Sequence, residues 1–303
     1  MAAIQDGPAP DAIPLETRFL RLLKSALLND IYIENEVRFL YLFSTFAGGG
    51  RFDDDVFRNI AARMPDWVGA VREARKEGRI WWRVNMADAQ GKPAVMDFRN
   101  VCEFSHTMIG RKRVDNIEAC LDAIRADAIP GDLAETGVWR GGAAIFMKGY
   151  LETYAMGDRK VWVADSFEGL PVPSLPQDND HDFSAAKAPI LAIGLDEVME
   201  NFRRYDLLDD GVKFLKGWFK DTLHAAPIKE LALLRLDGDL YESTMDALQA
   251  LYAKVVPGGF VIVDDYGDFE PCRRAIDEFR ATHAIRDPIV PVDWTGVYWR
   301  KTD

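Results

Sequence analysis

Two groups of residues in this 303-residue chain have the types and spacing to do chemistry. The first is a set of carboxylates that each follow an apolar run. Leu231 to Leu236 leads into Asp237-Gly238-Asp239, and Gly259 to Val263 leads into Asp264-Asp265-Tyr266. Such runs read as buried parallel strands, and in an open α/β sheet the carboxyl ends of the strands form the ligand crevice. If the two strands are neighbours, Asp237, Asp264 and Asp265 converge there. Three carboxylates at one point repel, so one keeps a proton or a divalent cation sits among them. Oxygen donors with no cysteine nearby suit Mg2+. The alternative is that each acid caps the helix after it.

The second group is the stretch GDLAETGVWRGG, Gly131 to Gly142. Leu133–Glu135 reads as a short strand, and Gly137 to Gly142 as a turn that opens a helix. Glycines at 137 and 141 would let a ligand lie against the backbone. The Glu135-x-Gly137-x-x-x-Gly141 spacing lacks the G-x-G-x-x-G pattern that seats a pyrophosphate on a helix N-terminus. An acid before the first glycine would repel a pyrophosphate, but it could pair with the cationic amino-acid end of S-adenosylmethionine. The next strand, Val161–Asp165, ends in a carboxylate able to accept bonds from both hydroxyls of a ribose. A purely structural turn remains the competing explanation. His106 is a candidate acid or base, or a structural hydrogen-bonder.

The elements that must position these groups follow from periodicity. Strands are expected at Leu133–Glu135, Val161–Asp165, Val212–Lys216, Leu231–Asp237, Gly259–Asp264, Ile289–Val292 and Val297–Trp299, with helices between them. That alternation predicts an α/β fold with a mostly parallel sheet. Helical spacing predicts helices from about Leu15, over Ile33 to Phe46, in two segments between Phe52 and Gly78, and over Arg111 to Ala126. Trp81 to Lys92 reads as an irregular loop. Glu168 to Lys187, with three prolines and three aspartates, reads as a mobile loop too polar for a core, beside the site. The domain division expected is a flexible tail at 1–13, a helical cap at 14–110 that either forms an ordinary core or covers the site mouth, and a catalytic domain at 111–303.

Nearly half of the residues are apolar, enough for a substantial core, and the net charge of −12 argues against nucleic-acid or anionic-membrane partners. No run of about 18 apolar residues occurs, and the N-terminus lacks a basic region followed by an apolar one, which predicts a soluble, cytoplasmic protein. Cys102, Cys120 and Cys272 have no CxxC spacing and read as buried thiols.

Several long runs carry a resemblance: HTMIG (106–110), ETGVWRGG (135–142), VWVADSFEGLP (161–171), GWFKDT (217–222), LRLDGDLYESTMD (234–246), PGGFVIVDDY (257–266) and GVYWR (296–300). On these the chain resembles the macrocin O-methyltransferase family, which methylates sugar hydroxyls of antibiotics and related glycosides. The resemblance implies a class I methyltransferase fold with a seven-stranded sheet and helices on both faces, S-adenosylmethionine as donor, Mg2+, a sugar-containing acceptor and a homo-oligomer built through the N-terminal helices. By motif, Glu135, Thr136 and Gly137 would line the donor's methionine end, Asp165 and Ser166 would meet its ribose, Gly217 with Trp218 would lie near its adenine, and Thr107, Met108, Arg140 and Asp237 would also bind the donor. Asp237, Asp264 and Asp265 would hold the metal, and Asp237 would be the base, with Asp239 as the other reading of that motif. The runner-up reading of the same constellation is an acceptor that is a catechol or another phenol. Between about 47 and 103 the chain departs from the family pattern, where an insertion is expected to shape the acceptor pocket.

Overall fold

The computed structural model describes residues 13–78, 81–87, 93–99 and 104–303. In chain order come α1 (Leu15–Leu27), α2 (Ile33–Ala47), α3 (Asp54–Arg58), α4 (Ile60–Arg63), α5 (Pro65–Glu77), β1 (Trp81–Ala87), β2 (Pro93–Arg99), α6 (Gly110–Ala126), β3 (Asp132–Thr136) and α7 (Gly142–Thr153). They are followed by β4 (Val161–Asp165), α8 (Leu195–Arg204), β5 (Val212–Lys216), α9 (Phe219–Thr222), β6 (Leu231–Leu236), α10 (Tyr241–Leu251), β7 (Val255–Val263), α11 (Glu270–Thr282), β8 (Val290–Pro291) and β9 (Val297–Arg300).

Seven strands form one sheet in the order β5-β4-β3-β6-β7-β9-β8. The first five are parallel, and β9 runs antiparallel to both β7 and β8. The strand order reverses between β3 and β6, so the chain leaves these two strands toward opposite sides and a crevice opens above their carboxyl ends. Every residue of β6 is buried, because helices cover both faces and a two-sided strand must be apolar throughout. Arg235 is the exception, and its position matters below.

One face of the sheet is covered by α1, α6, α7 and α8, packed through Leu23, Ile117, Phe146 and Phe202. The other is covered by α10 and α11 through Leu248, Leu251, Ile276 and Phe279. Helix α7 is buried from Gly142 to Leu151, as an all-round apolar helix requires when it lies between the sheet and another helix. A third cluster joins α2, α4 and α5 through Val37, Leu40, Ile60, Trp67 and Val71, so the N-terminal helices have a small core of their own. No helix among the described residues is long and apolar enough to cross a membrane.

Two expectations change. Trp81 to Ala87 is not irregular: it pairs antiparallel with Pro93–Arg99, from Trp81 opposite Arg99 to Ala87 opposite Pro93. One run by itself shows neither its partner nor its register, and a two-stranded pair is legible only when both runs are set side by side. The rest of that expected loop, 88–92, lies outside the described residues, as do residues 1–12 of the tail and Cys102. Cys120 and Cys272 are buried free thiols.

The second change concerns Glu168 to Lys187. This segment is not without a buried anchor: Asp178 is fully buried and accepts hydrogen bonds from the amides of Tyr241 (2.7 Å) and Glu242 (3.0 Å). These are orphan donors of the first turn of α10, whose own N-cap residue offers no side-chain acceptor. A polar residue is therefore at home in the interior when it closes a distant helix end.

Candidate active site

An open cleft lies above the carboxyl ends of β3, β4 and β6. Its walls are the turn Gly137-Val138-Trp139, Asp165 and Ser166 after β4, Trp218 to Lys220 after β5, Asp237 to Asp239 after β6, the segment from Gly169 to Ser174, and Glu242, Ser243 and Asp246 on α10, with Met108 contributing from the segment before α6. The first turn is tight. Gly137 has φ +82°, and a Cβ there would lie 1.6 Å from the carbonyl oxygen of Asp237. The glycine at 137 thus makes room first for the neighbouring strand end, and the one at 141 for Val198 of α8, 2.9 Å from a notional Cβ. This corrects the expectation that both leave space for a ligand; Gly137 lines the cleft, and Gly141 is absent from its walls.

Asp165 stitches two loops together. One carboxylate oxygen accepts from the amide of Val138 (2.8 Å) and the other from that of Phe167 (2.7 Å). The Ser166 hydroxyl also lies 3.4 Å from the oxygen that Phe167 reaches, so the oxygen facing Val138 is the one better placed to accept a ligand hydroxyl. Burial raises its pKa from the ordinary value in spite of these donors.

The carboxylates of Asp237, Asp264 and Asp265 each offer one oxygen, all within 4.8 Å of one another. They come together because β6 and β7 are adjacent and in register, Leu236 opposite Val263. Under them lies Arg235, 1% exposed, whose guanidinium donates to Glu135 (2.7 Å), to Asp237 (2.7 Å) and to Asp264. Arg113 of α6 also reaches Asp264. Two guanidinium groups do not balance this many acids. Burial, with neighbouring carboxylates adding to it, pushes Glu135 and Asp239 up to about 8 and Asp237 up to about 6, and holds Asp265 well above the carboxylate range. A site built of hard oxygens and short of positive charge fits a divalent cation.

The fold brings Met108, Gly137, Asp165, Ser166, Trp218 and Asp237 to one cleft, with Asp264 and Asp265 packed against Asp237. Other expected donor contacts sit elsewhere. Glu135 is 2% exposed; one carboxylate oxygen accepts from Arg235, and the other is buried with no hydrogen-bond partner among the described residues. Thr136 is buried and donates to the carbonyl of Arg235 (3.4 Å). Thr107 is buried before α6, and Arg140 stacks on Trp139, 4.3 Å from its ring centre, and donates to the carbonyl of Ser105 (3.0 Å). Gly217 has φ +139° and its amide donates to the carbonyl of Asp165, which aims the following Trp218 at the cleft.

His106 is turned away. Its Nδ1 lies 2.7 Å from the Tyr205 hydroxyl, it is not among the cleft walls, and burial with Arg204 and Arg140 nearby pushes its pKa down to about 4. The structural alternative therefore describes it.

Sequence reasoning passed over Trp139, Phe219, Lys220, Glu242, Ser243 and Asp246, all of them cleft walls. A signal existed for two of them: Glu242 and Asp246 are four apart on α10 and so share one helix face. Trp139 has φ +48°, which pattern reading could not anticipate.

The chain was compared with known proteins. The family model described as Macrocin-O-methyltransferase (TylF) matches residues 16–301. Demethyldecarbamoylnovobiocin O-methyltransferase of Streptomyces niveus is 52% identical over 232 residues, covering 76% of this chain and 81% of the relative. An 8-demethyl-8-(2,3-dimethoxy-alpha-L-rhamnosyl)-tetracenomycin-C 4'-O-methyltransferase of Streptomyces olivaceus is 52% identical over 204 residues, covering 65% and 76%. Among solved structures, the O-methyltransferase NovP superposes with a TM-score of 0.73 at 40% identity, covering 95% of this chain and all of that one. The calicheamicin methyltransferase CalS11, at 20% identity and a TM-score of 0.52, shares the fold. With the sheet order, the cleft and a match over nearly its full length in agreement, the chain belongs to the macrocin-O-methyltransferase family and is a methyltransferase of the class I fold.

Proposed function

We propose that this methyltransferase moves a methyl group from S-adenosylmethionine to a hydroxyl of a sugar-bearing small molecule in natural-product biosynthesis. The observation that carries the reading is that Asp165 and Asp237 line one cleft, and that Asp237 brings with it Asp264 and Asp265, each offering an oxygen within 4.8 Å of the others. The names of the relatives from Streptomyces niveus and Streptomyces olivaceus support the acceptor class.

In this reading the cleft holds the donor along Met108, Gly137, Val138, Asp165 and Ser166, with Trp218 near its adenine. The acceptor oxygen attacks the methyl carbon in line, the carbon–sulfur bond breaks with its electron pair left on sulfur, and the hydroxyl proton passes to a carboxylate. Asp237, Asp264 and Asp265 would hold Mg2+, which when bound supplies charge that makes a sugar hydroxyl a stronger acid. Their fit rests on the oxygen-only donor set and the unbalanced negative charge around Arg235 and Arg113.

Of the two candidate bases, Asp239 is favoured over Asp237. One Asp237 oxygen accepts from Arg235, and the same carboxylate belongs to the metal set. Asp239 lines the cleft, and among the described residues no hydrogen bond or ion pair engages its carboxylate. Its left-handed backbone, φ 55°, with its amide donating to Asp265 (3.3 Å), fixes it beside the cluster. The rest of the rate comes from holding nucleophile and methyl at near-attack distance, with Trp139, Trp218 and Phe219 excluding water.

Assembly belongs to the same proposal. Leu15, Phe19 and Leu22 form an exposed stripe on α1, and Phe39, Phe43 and Phe46 form another on α2. Stripes of this kind fit a second copy of the chain.

The test is transfer of a labelled methyl group from S-adenosylmethionine to deoxysugar glycosides, nucleotide sugars and catechols, with Mg2+ and with EDTA. Labelling of a sugar that EDTA abolishes is expected. Labelling of catechols alone would overturn the acceptor, and labelling undiminished by EDTA would overturn the metal.

A further inference from the structure

Arg113 lies in α6, 151 positions before Asp264, and the chain around it is carved to admit its side chain. Its guanidinium, 7% exposed, ion-pairs with Asp264; its Nε lies 3.1 Å from Asp293, whose side chain is fully buried; and its Nη2 donates to the carbonyl of Gly78 (3.2 Å) at the C-terminal end of α5. Two glycines, Gly78 and Gly296, line the slot, and a third, Gly110, lets the backbone of Gly78 come close. A Cβ on Gly78 would lie 2.4 Å from Arg113 Nη2, one on Gly296 would lie 2.9 Å from Arg113 Cδ, and one on Gly110 would lie 2.3 Å from the backbone of Gly78. Asp293 is held in turn by the amides of Thr295 (3.0 Å) and Gly296 (2.8 Å), and Thr295 donates to the carbonyl of Asp264 (2.9 Å).

We propose that Arg113 is a positioning residue: it fixes the Asp264 carboxylate toward the cation and ties that ligand to the end of α5, so that the seating of the N-terminal helices and metal binding are linked. The inference rests on the metal reading of the cleft given above. Ligating carboxylates are commonly oriented by a second layer of hydrogen bonds, whose loss costs about 10–100-fold in metal affinity. Arg113 donates to two acceptors, Asp264 and the carbonyl of Gly78, and ion-pairs with Asp293 on a third segment, an arrangement that suits a planar fork. Lysine at 113 would keep the charge and lose the geometry.

The experiment measures Mn2+ binding to the full-length protein by electron paramagnetic resonance, with Mg2+ as competitor, alongside calorimetric binding of S-adenosylmethionine. The variants are Arg113→Lys and Gly296→Ala. The latter keeps every charge and presses mainly on the stem of Arg113 (2.9 Å to Cδ) and on its partner Asp293 (3.3 Å to Oδ1), at a glycine whose φ is not in the left-handed region. The expected result is Mn2+ binding at least tenfold weaker in Arg113→Lys and several-fold weaker in Gly296→Ala, with donor affinity within twofold of the parent. Mn2+ binding that is unchanged or tighter overturns the proposal. So does an equal loss of donor binding, because that marks general disruption. If Arg113→Lys does not fold, Gly296→Ala alone decides. Should the parent bind Mn2+ no better than an Asp264→Asn/Asp265→Asn variant, the metal reading itself fails and this inference falls with it.

Discussion

Replacing Asp178 with alanine tests how a cleft wall is held. The carboxylate is fully buried and takes the amides of Tyr241 at 2.7 Å and Glu242 at 3.0 Å, the first two donors of α10. Loss of an N-capping side chain costs about 0.5–2 kcal/mol, and each fully buried amide left without a partner costs about 1–3 kcal/mol. Tyr241 and Glu242 are half-buried, so water reaches their amides in part and the low end applies. The expected loss is about 2–3 kcal/mol, or roughly 4–12 °C in melting temperature at about 2–4 °C per kcal/mol. Asp178→Asn keeps one acceptor and should lose about half as much by the same reasoning. Because α10 carries Glu242, Ser243 and Asp246 into the cleft, and Ser174 donates to Glu242 (2.6 Å), acceptor KM should rise several-fold while donor affinity moves less. Urea unfolding followed by tryptophan fluorescence, with acceptor titrations, measures both. A stability change under about 0.5 kcal/mol would refute the account, since an uncapped helix end of this kind cannot be so cheap.

Three further outcomes follow from other parts of the fold. Gly137→Ala would force a Cβ to within 1.6 Å of the Asp237 carbonyl at φ +82°; left-handed backbone and overpacking together cost about 2–5 kcal/mol, so a melting curve matching the parent would contradict this packing. His106 should shape the acid limb of stability. Its pKa is held down near 4 in the fold, from an ordinary 6.5, so the unfolded chain takes up the proton first. Its contribution is complete above about pH 6.5 and is lost as pH falls toward 4, up to about 3 kcal/mol. His106→Gln should flatten that limb, and an unaltered pH profile of unfolding would count against it. Leu22→Glu together with Phe43→Glu should shift sedimentation toward a monomer without lowering the melting temperature of the sheet, whereas an unchanged assembly would move the interface elsewhere.

Much of the site could be read one-dimensionally. Asp165, Asp237, Asp264 and Asp265 each end an apolar run, and period and burial are written in a handful of neighbouring residues. The strand expected at Val212–Lys216 matches the observed one for the same reason, and β6 and β7 are adjacent, which is all that convergence of the acids required. Glu135 shows where this stops. Its spacing to Gly137 is consistent with a ligand contact, but nothing local shows that one of its oxygens pairs with Arg235, 100 positions away. A buried carboxylate pairs with the nearest cation, and nearness across that distance depends on sheet order. The strand pair β1–β2 was missed because pairing needs two runs, and Asp178 because a polar loop looks the same whether it is solvated or caps a helix 63 positions on.

Local pattern therefore determined the strands, the tight turn at Gly137 and the acids at the strand ends, since these depend on interactions within a few residues. Only the tertiary structure decided which acids meet, which arginines pair with them, and that Gly78 and Gly296 clear a path for Arg113. Those outcomes rest on close approach between segments far apart in the chain, where a few tenths of an ångström separate contact from clash.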